Sequence, residues 1–163
     1  MQHSQHDLDH NHHQCVSHAL KVAEQLCLDR GVLLTVIRHQ VLEIIWESHK
    51  AVKAYQILDR IKPLQPAAKP ATVYRALEFL SEQGLIHRVE SLNAFIGCSC
   101  SEQQHEQLLL ICHQCEEVEE RSAAKVMSAL SEEITQAGFS VHSKAIEIHG
   151  ICKKCMGQTD HPA

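Results

Sequence analysis

Aromatic side chains are scarce in this chain of 163 residues, since three Phe, two Tyr and one Trp make up only 4% of it. Glycine and proline are also few, with six and four residues, which excludes collagen-like and low-complexity classes. The longest strongly apolar run covers residues 108–112, whereas a membrane span needs about 20 apolar residues. We therefore expect one ordinary globular domain or two small ones, with no membrane partner.

The first 14 residues contain no Lys or Arg and no apolar segment, so we expect no secretory signal and a cytoplasmic location. Their polar, His-rich composition predicts a disordered tail at 1–14, and a second short tail is predicted at 158–163. What the chain does have is metal-binding chemistry, with eight Cys and fourteen His. In a reducing compartment such cysteines are metal ligands more often than disulfide partners.

The net charge of −5 argues at first against a nucleic-acid partner. The charge is unevenly distributed, however. Residues 1–14 carry two acids and no base, residues 15–97 carry ten bases against eight acids, and residues 98–163 carry five bases against ten acids. The middle of the chain therefore has a charge of +2, and the acidity lies mainly in the C-terminal part.

Apolar residues at helical spacing predict four helices in the first half of the chain. The second helix follows a predicted N-cap at Thr35, and the fourth ends at Gly84. Two short strands, joined by a turn at 91–93, follow at residues 85–90 and 93–98. This order predicts a winged helix-turn-helix domain at 15–98, with its helices at residues 16–30, 36–48, 54–61 and 71–83.

The remainder of the chain predicts a small α/β dimerisation domain at 99–157, so that the fold class is α+β. Its predicted elements are strands at 108–112 and 118–120, a helix at 123–137 and a strand at 139–148. A unit of about 60 residues is marginal by itself, because small domains bury too little surface. We therefore expect a metal ion or a partner subunit to stabilise it.

Two C-x-x-C pairs, Cys112/Cys115 and Cys152/Cys155, lie in this unit. Each pair can place two thiolates on one ion from a single tight turn, and four thiolates suit tetrahedral Zn²⁺ in a closed structural site. A redox C-x-x-C or two unrelated pairs are the alternatives, although the βαβ context of a redox motif is missing. The sequence predicts one structural zinc at these four cysteines.

Three stretches together resemble the ferric uptake regulator family of bacterial metal-sensing repressors. They are GVLLTVIR at 31–38, KPATVYRALEFLSEQGLIH at 69–87, and the two C-x-x-C pairs. The segments HRVESLNAFIGC at 87–98 and HGIC at 149–152 are similar to the zinc uptake regulator branch. The resemblance covers residues 16–157 and implies the winged-helix and dimerisation domains already described.

The resemblance implies a regulatory metal site at His87, Cys98, His105 and Glu120. Two imidazoles, one thiolate and one carboxylate form a neutral tetrahedral set for Zn²⁺. The spacing from Cys98 to His105 is one residue shorter than the zinc branch implies, so Cys100 is an alternative thiol ligand. Together with the four-cysteine site, the expected cofactor is two Zn²⁺ per subunit.

The fourth helix is expected to enter the major groove of double-stranded operator DNA. Arg75 can pair with guanine O6 and N7. Tyr55 matches a family position that contacts bases, and Lys69, Thr72 and Tyr74 are expected to contact the DNA backbone. The alternative for the two tyrosines is partial burial in the core. The resemblance also implies that two dimers meet on one operator through Asp59 and Lys62.

These features predict a homodimeric repressor of zinc-uptake genes in which zinc, as co-repressor, locks the dimer in a DNA-binding conformation. Sensors of iron, manganese or nickel and a cytosolic zinc buffer or chaperone are the alternatives. Against iron, the multi-histidine run of that branch is reduced to QQHE at 103–106. A zinc hydrolase would need a motif such as H-E-x-x-H, which is absent, so we expect neither an enzyme nor a small-molecule substrate.

Overall fold

A computed structural model describes residues 12–48, 50–99, 107–141 and 145–157. Four helices and a two-stranded sheet form the first half: α1 (His12–Asp29), α2 (Val36–Trp46), α3 (Ala54–Ile61), α4 (Pro70–Glu82), β1 (Ile86–Val89) and β2 (Ala94–Gly97). The second half contains β3 (Gln107–Cys112), β4 (Val118–Ser122), α5 (Ala124–Gln136), β5 (Ala145–Gly150) and α6 (Lys153–Met156). Within the described ranges, no helix is long and apolar enough to cross a membrane.

The helices of the first half pack around one apolar core, to which each contributes one face. Among its fully buried members are Leu42 and Ile45 of α2, Ile57 of α3, and Leu77 and Leu80 of α4. The buried residues of α4 recur three and four positions apart and therefore lie on one side of the helix, which leaves the opposite side exposed. The helices and hairpin thus form the predicted winged helix, with one face of α4 free to meet a partner.

Helix α1 begins at His12, inside the segment 1–14 that we predicted to be disordered. The apolar stripe of α1, which includes the buried Ala23 and Cys27, starts only at residue 16. Once such a stripe has docked, adding a further helical residue upstream gains a hydrogen bond at little nucleation cost. Residues 12–14 of the predicted tail are therefore helical, and the rest of it, residues 1–11, lies outside the described part.

Strands β1 and β2 form an antiparallel hairpin, which we call the wing, with His87 opposite Ile96. A short 3-10 turn at Glu90–Leu92 connects them, and Asn93 adopts a left-handed conformation with φ of 47°. Asn tolerates this conformation better than other residues with a side chain, which explains why the turn is possible here. The hairpin predicted from the sequence is confirmed.

The C-terminal unit is a three-stranded sheet in the order β4-β3-β5, with β3 antiparallel to β4 and parallel to β5. The strand predicted at 139–148 begins only at Ala145. Residues 138–139 instead close the end of α5, because Gly138 has a φ of +66° and the Phe139 N–H donates to Ile134 O. Such a helix-ending motif turns the backbone away from an extended path.

The wing lies against the sheet of the C-terminal unit. Val89 and Ile96 of the wing form a small apolar cluster with Leu109 and Ile111 of β3. Phe95 also pairs with Val52 through reciprocal backbone hydrogen bonds of 2.9 and 2.8 Å, which fixes the wing to the helical core. The wing therefore contacts both the helical core and the sheet of the C-terminal unit.

Candidate metal centres

The two C-x-x-C pairs meet at one edge of the sheet. Cys112 is the last residue of β3, and Cys152 follows β5 and precedes α6, which contains Cys155. Because β3 and β5 are parallel neighbours, their carboxyl ends lie side by side. The four Sγ atoms, including that of Cys115, all lie within 4.8 Å of one another. The 36 intervening residues are therefore no obstacle to a single site.

The spacing of these thiols suits a tetrahedral zinc ion. A Zn–S bond of about 2.3 Å places two tetrahedral sulfurs about 3.8 Å apart. Cys115 Sγ and Cys152 Sγ are separated by 3.7 Å, and the Cys152 N–H donates to Cys112 Sγ at 3.3 Å. The donors present therefore fit a closed four-thiolate site.

The thiols of Cys112 and Cys155 differ in acidity. Backbone N–H groups of Cys115 and Cys152 lower the pKa of Cys112 to about 6. Hydrogen bonding with Cys152, together with burial, raises the pKa of Cys155 to about 12. Because metal ligands must be deprotonated, binding of a cation at this site releases protons from the less acidic thiols, such as Cys155.

A second cluster lies where the wing meets the sheet. His87 of β1, Cys98 directly after β2 and Glu120 of β4 each offer one ligand atom, and these atoms lie within 4.8 Å of one another. His87 Nε2 is 2.9 Å from Glu120 Oε1, and Cys98 Sγ is 4.0 Å from the same oxygen. The exposed fractions of His87 and Cys98 are only 6% and 5%. We call these three residues the sensing cluster.

Ser99 orients the Glu120 carboxylate, a role that the sequence did not indicate. Its backbone N–H and its hydroxyl both donate to Glu120 Oε2, at 3.1 and 2.9 Å. Burial alone would raise the pKa of Glu120, but the hydrogen bonds from His87 and Ser99 outweigh it and lower the pKa to about 2. Glu120 is therefore ionised at neutral pH, as a metal ligand must be.

Two predicted residues of this site lie outside the described residues, namely His105 and the alternative thiol Cys100. Of the four ligands that the resemblance implied, the structure brings three together. A fourth donor from the segment that joins the wing to β3 would complete a tetrahedral set. The identity of that donor stays a prediction.

The residues predicted to contact DNA lie on the outer surface of the winged helix. Arg75 and Lys69 are exposed, and the side chains of Tyr55 and Tyr74 are 61% and 58% exposed, so neither tyrosine belongs to the core. Thr72 has an internal partner, since its hydroxyl oxygen accepts the Lys69 N–H at 3.2 Å at the start of α4. The two residues predicted to join neighbouring dimers, Asp59 and Lys62, are also exposed.

A profile of the ferric uptake regulator family matches residues 29–149. The chain belongs to the ferric uptake regulator family. The zinc uptake regulation protein of Escherichia coli (strain K12) is 39% identical over 138 residues, which make up 84% of this chain and 81% of that protein. The peroxide operon regulator of Bacillus subtilis (strain 168) is 26% identical over 147 residues, or 89% of this chain and 99% of that one. The predicted family is confirmed.

Solved structures of family members agree with this result. A zinc uptake regulator complexed with zinc and DNA superposes with a TM-score of 0.84 at 38% identity, covering 88% of this chain and 96% of that one. The holo crystal structure of XcZur gives a TM-score of 0.80 at 38% identity, covering 87% and 99%. Its apo crystal structure gives only 0.53 at 37% identity, covering 88% and 99%. The overall arrangement of this chain is therefore more similar to the holo structure of XcZur than to its apo structure.

Proposed function

We propose that this chain is a zinc-responsive transcriptional repressor of zinc-uptake genes that acts as a homodimer on operator DNA. The observation that carries the proposal is the sensing cluster, because His87 lies in the wing, Cys98 directly follows the wing, and Glu120 belongs to the C-terminal sheet. A ligand held by all three residues stabilises one orientation of the wing relative to the sheet. Occupancy of the site is thereby coupled to the shape of the DNA-binding surface.

The donor set favours zinc over the other metals that members of this family could sense. An imidazole, a thiolate and a carboxylate, with His105 as the proposed fourth ligand, suit tetrahedral Zn²⁺. The soft sulfur of Cys98 disfavours Mn²⁺ and Mg²⁺, which prefer sets of oxygen ligands. Cys98 is proposed as the thiol ligand because it lies beside Glu120, whereas Cys100 is the alternative.

The structural comparisons support a change of arrangement between the metal-free and the metal-bound state. The apo and holo structures of XcZur have nearly the same identity to this chain, yet their TM-scores are 0.53 and 0.80. A difference in overall arrangement explains this gap, because sequence divergence is equal. When bound, zinc supplies a link between the wing and the sheet. Ser99 holds the Glu120 carboxylate beside His87, so two of the proposed ligands are already close together.

A second zinc per subunit is proposed at Cys112, Cys115, Cys152 and Cys155, with a structural role. Four thiolates close the coordination shell, so this site has no open position for a substrate. The site ties the ends of β3 and β5 in a unit that has few buried apolar residues, among them Leu109, Ile111 and Met127. Its metal binding therefore contributes folding free energy to the C-terminal unit.

For DNA we propose that α4 lies in the major groove and that Arg75 reads a guanine. Lys69, Thr72 and Tyr74 would contact the backbone, and Tyr55 of α3 would contact a base. Two dimers would meet on one operator through Asp59 and Lys62. The proposed domains are a winged helix at 15–98 and a dimerisation domain at 99–157.

The C-terminal unit offers a surface for the proposed second subunit. Strand β5 lies at the edge of the described sheet, and this small unit leaves several large apolar side chains exposed. A partner subunit that covered them would remove apolar surface from water. The proposed homodimer would cover these side chains, which are Val126, Phe139, Ile148, Ile151 and Met156.

The test is DNA-binding anisotropy in buffers that fix free Zn²⁺, Fe²⁺, Mn²⁺ or Ni²⁺. Zinc should tighten operator binding at the lowest free concentration, and Glu120→Gln should abolish this response. Glu119→Gln, an exposed neighbour on β4 that pairs with Arg121, is the matched control. Zinc binding that leaves DNA affinity unchanged would refute the repressor and favour a zinc buffer. A stronger response to another metal would refute zinc as the signal.

A further inference from the structure

Two carboxylates lie in one row across the sheet of the C-terminal unit. Leu109 in the central strand pairs with Glu120 of β4 on one side and with Glu147 of β5 on the other. Side chains of directly paired residues project from the same face of a sheet. Leu109 contributes to the apolar cluster with the wing, so Glu120 and Glu147 flank it on the face that meets the wing.

Glu147 binds the turn at the tip of the wing. Its Oε1 accepts the Glu90 N–H at 2.6 Å, and its Oε2 accepts the Ser91 N–H at 3.1 Å. The side chain is only 14% exposed, and His149 Nε2 lies 3.9 Å from Oε2. These two bonds join residues that are 57 and 56 positions apart in the chain. A carboxylate that accepts two adjacent backbone N–H groups forms strong, charge-assisted hydrogen bonds.

The ionisation of Glu147 agrees with this role. Burial would raise the pKa of its carboxyl group, but hydrogen bonds from Ser91 and Glu90 outweigh burial and lower the pKa below its usual value. The group is therefore an acceptor at neutral pH, which is the state that the two N–H donors require.

The two carboxylates hold opposite ends of the same hairpin. Glu120 binds the open end, where it contacts His87 and Ser99 beside Cys98. Glu147 binds the closed end, and it is not part of the sensing cluster. With both ends fixed, the hairpin has one orientation on the sheet, and the ligand atoms of His87 and Cys98 lie beside Glu120.

We propose that Glu147 is a positioning residue for the sensing cluster, which it preorganises by fixing the wing tip on β5. This inference rests on the proposed function. If the wing tip is released, the orientation that brings the ligands together becomes only partly populated. The apparent affinity for metal then falls in proportion to that population. The ligands themselves are unchanged, so the coordination chemistry of the site should persist.

The test compares the zinc affinity of full-length wild type, Glu147→Gln and Glu119→Gln by competition with a chromogenic chelator, with the four-cysteine site already loaded. We expect Glu147→Gln to bind the second zinc equivalent about tenfold more weakly, which corresponds to ~1.4 kcal/mol. Glu119→Gln should match the wild type. The d–d spectrum of Co²⁺ at the second site should be the same in all three proteins, because the ligand set is intact.

Amide hydrogen exchange supplies a readout of the wing itself. The amides of Glu90 and Ser91 should exchange faster in Glu147→Gln and also in Glu147→Asp, whose shorter side chain keeps the charge but loses reach. Glu147→Asp also serves if Glu147→Gln fails to fold. Equal zinc affinity in the Glu147 variants and Glu119→Gln, or a changed Co²⁺ spectrum, would overturn the proposal. If DNA binding by the wild type did not depend on zinc, the proposed function would be refuted. The ratio of the zinc affinities of wild type and Glu147→Gln could still be measured and would still test the role of Glu147.

Discussion

Gly97 lies immediately before Cys98, and its lack of a side chain is required by the indole ring of Trp46. A Cβ atom at Gly97 would lie 2.6 Å from Trp46 Nε1 and 2.8 Å from Cδ2. Ordinary contacts between such atoms measure about 3.5 to 4.0 Å. Gly97→Ala therefore forces the last residue of β2 and the indole apart by roughly 1 Å.

Overpacking of this kind typically costs about 1 to 3 kcal/mol. For a chain of this length, each kcal/mol lowers the melting temperature by about 2 to 4 °C, so the expected decrease is about 2 to 12 °C. Zinc affinity of the sensing cluster should fall at least tenfold, because ligand distances tolerate only about 0.2 Å. Thermal melting followed by circular dichroism and zinc competition measure the two effects.

Trp46 is the only tryptophan of the chain, so its fluorescence reports on this contact directly. Its emission should change in Gly97→Ala and should respond to zinc in the wild type. Gly157→Ala is the matched control, since a Cβ there would lie 3.8 Å from its nearest atom. If Gly97→Ala has the melting temperature and the zinc affinity of the wild type, the contact between Gly97 and Trp46 does not determine the position of Cys98.

Three further predictions concern the sites themselves. Cys98→Ser should lose zinc-dependent DNA binding while Cys100→Ser keeps it, measured by anisotropy in zinc buffers; the opposite result would assign the thiol ligand to Cys100. Cys155→Ser should remove one zinc equivalent, measured by elemental analysis. It should also unfold the C-terminal unit, because metal binding supplies folding free energy to that unit. A stable variant that retains both zinc equivalents would contradict the structural role. Arg75→Ala should weaken binding to the specific operator by about 1 to 3 kcal/mol and relax specificity at one base pair. Lys69→Ala should instead weaken binding to all DNA sequences and reduce the dependence of log affinity on log salt concentration by about one. If Arg75→Ala lost the same binding free energy on every sequence, Arg75 would not read a base.

Local patterns were sufficient to predict most of the fold. The helical stripes, the hairpin turn at 91–93 and the two C-x-x-C pairs each depend on residues that are close in sequence, and the structure has all of them. The prediction that a strand begins at residue 139 was wrong, because the Phe139 N–H bonds to the last turn of α5. The apolar side chain of Phe139 is equally typical of a strand. A choice between helix end and strand start depends on backbone hydrogen bonds that residue type does not reveal.

The sensing cluster could be predicted only through the family resemblance. His87, Cys98 and Glu120 are separated in sequence by 11 and 22 residues and have no ligand motif of their own. Ser99, Glu147 and the pair of Trp46 with Gly97 were missed for the same reason, since each acts across a contact between distant elements. The register of β3 with both neighbouring strands, which places Glu120 and Glu147 in one row, exists only in the folded sheet.

The central claim is that zinc and operator DNA favour the same arrangement of wing and sheet. Linkage requires that each ligand tighten the binding of the other by the same factor. The decisive measurement is the zinc affinity of the sensing cluster with and without saturating operator, compared with operator affinity with and without zinc. The account predicts two equal factors greater than one. Zinc affinity that is the same with and without operator would contradict it.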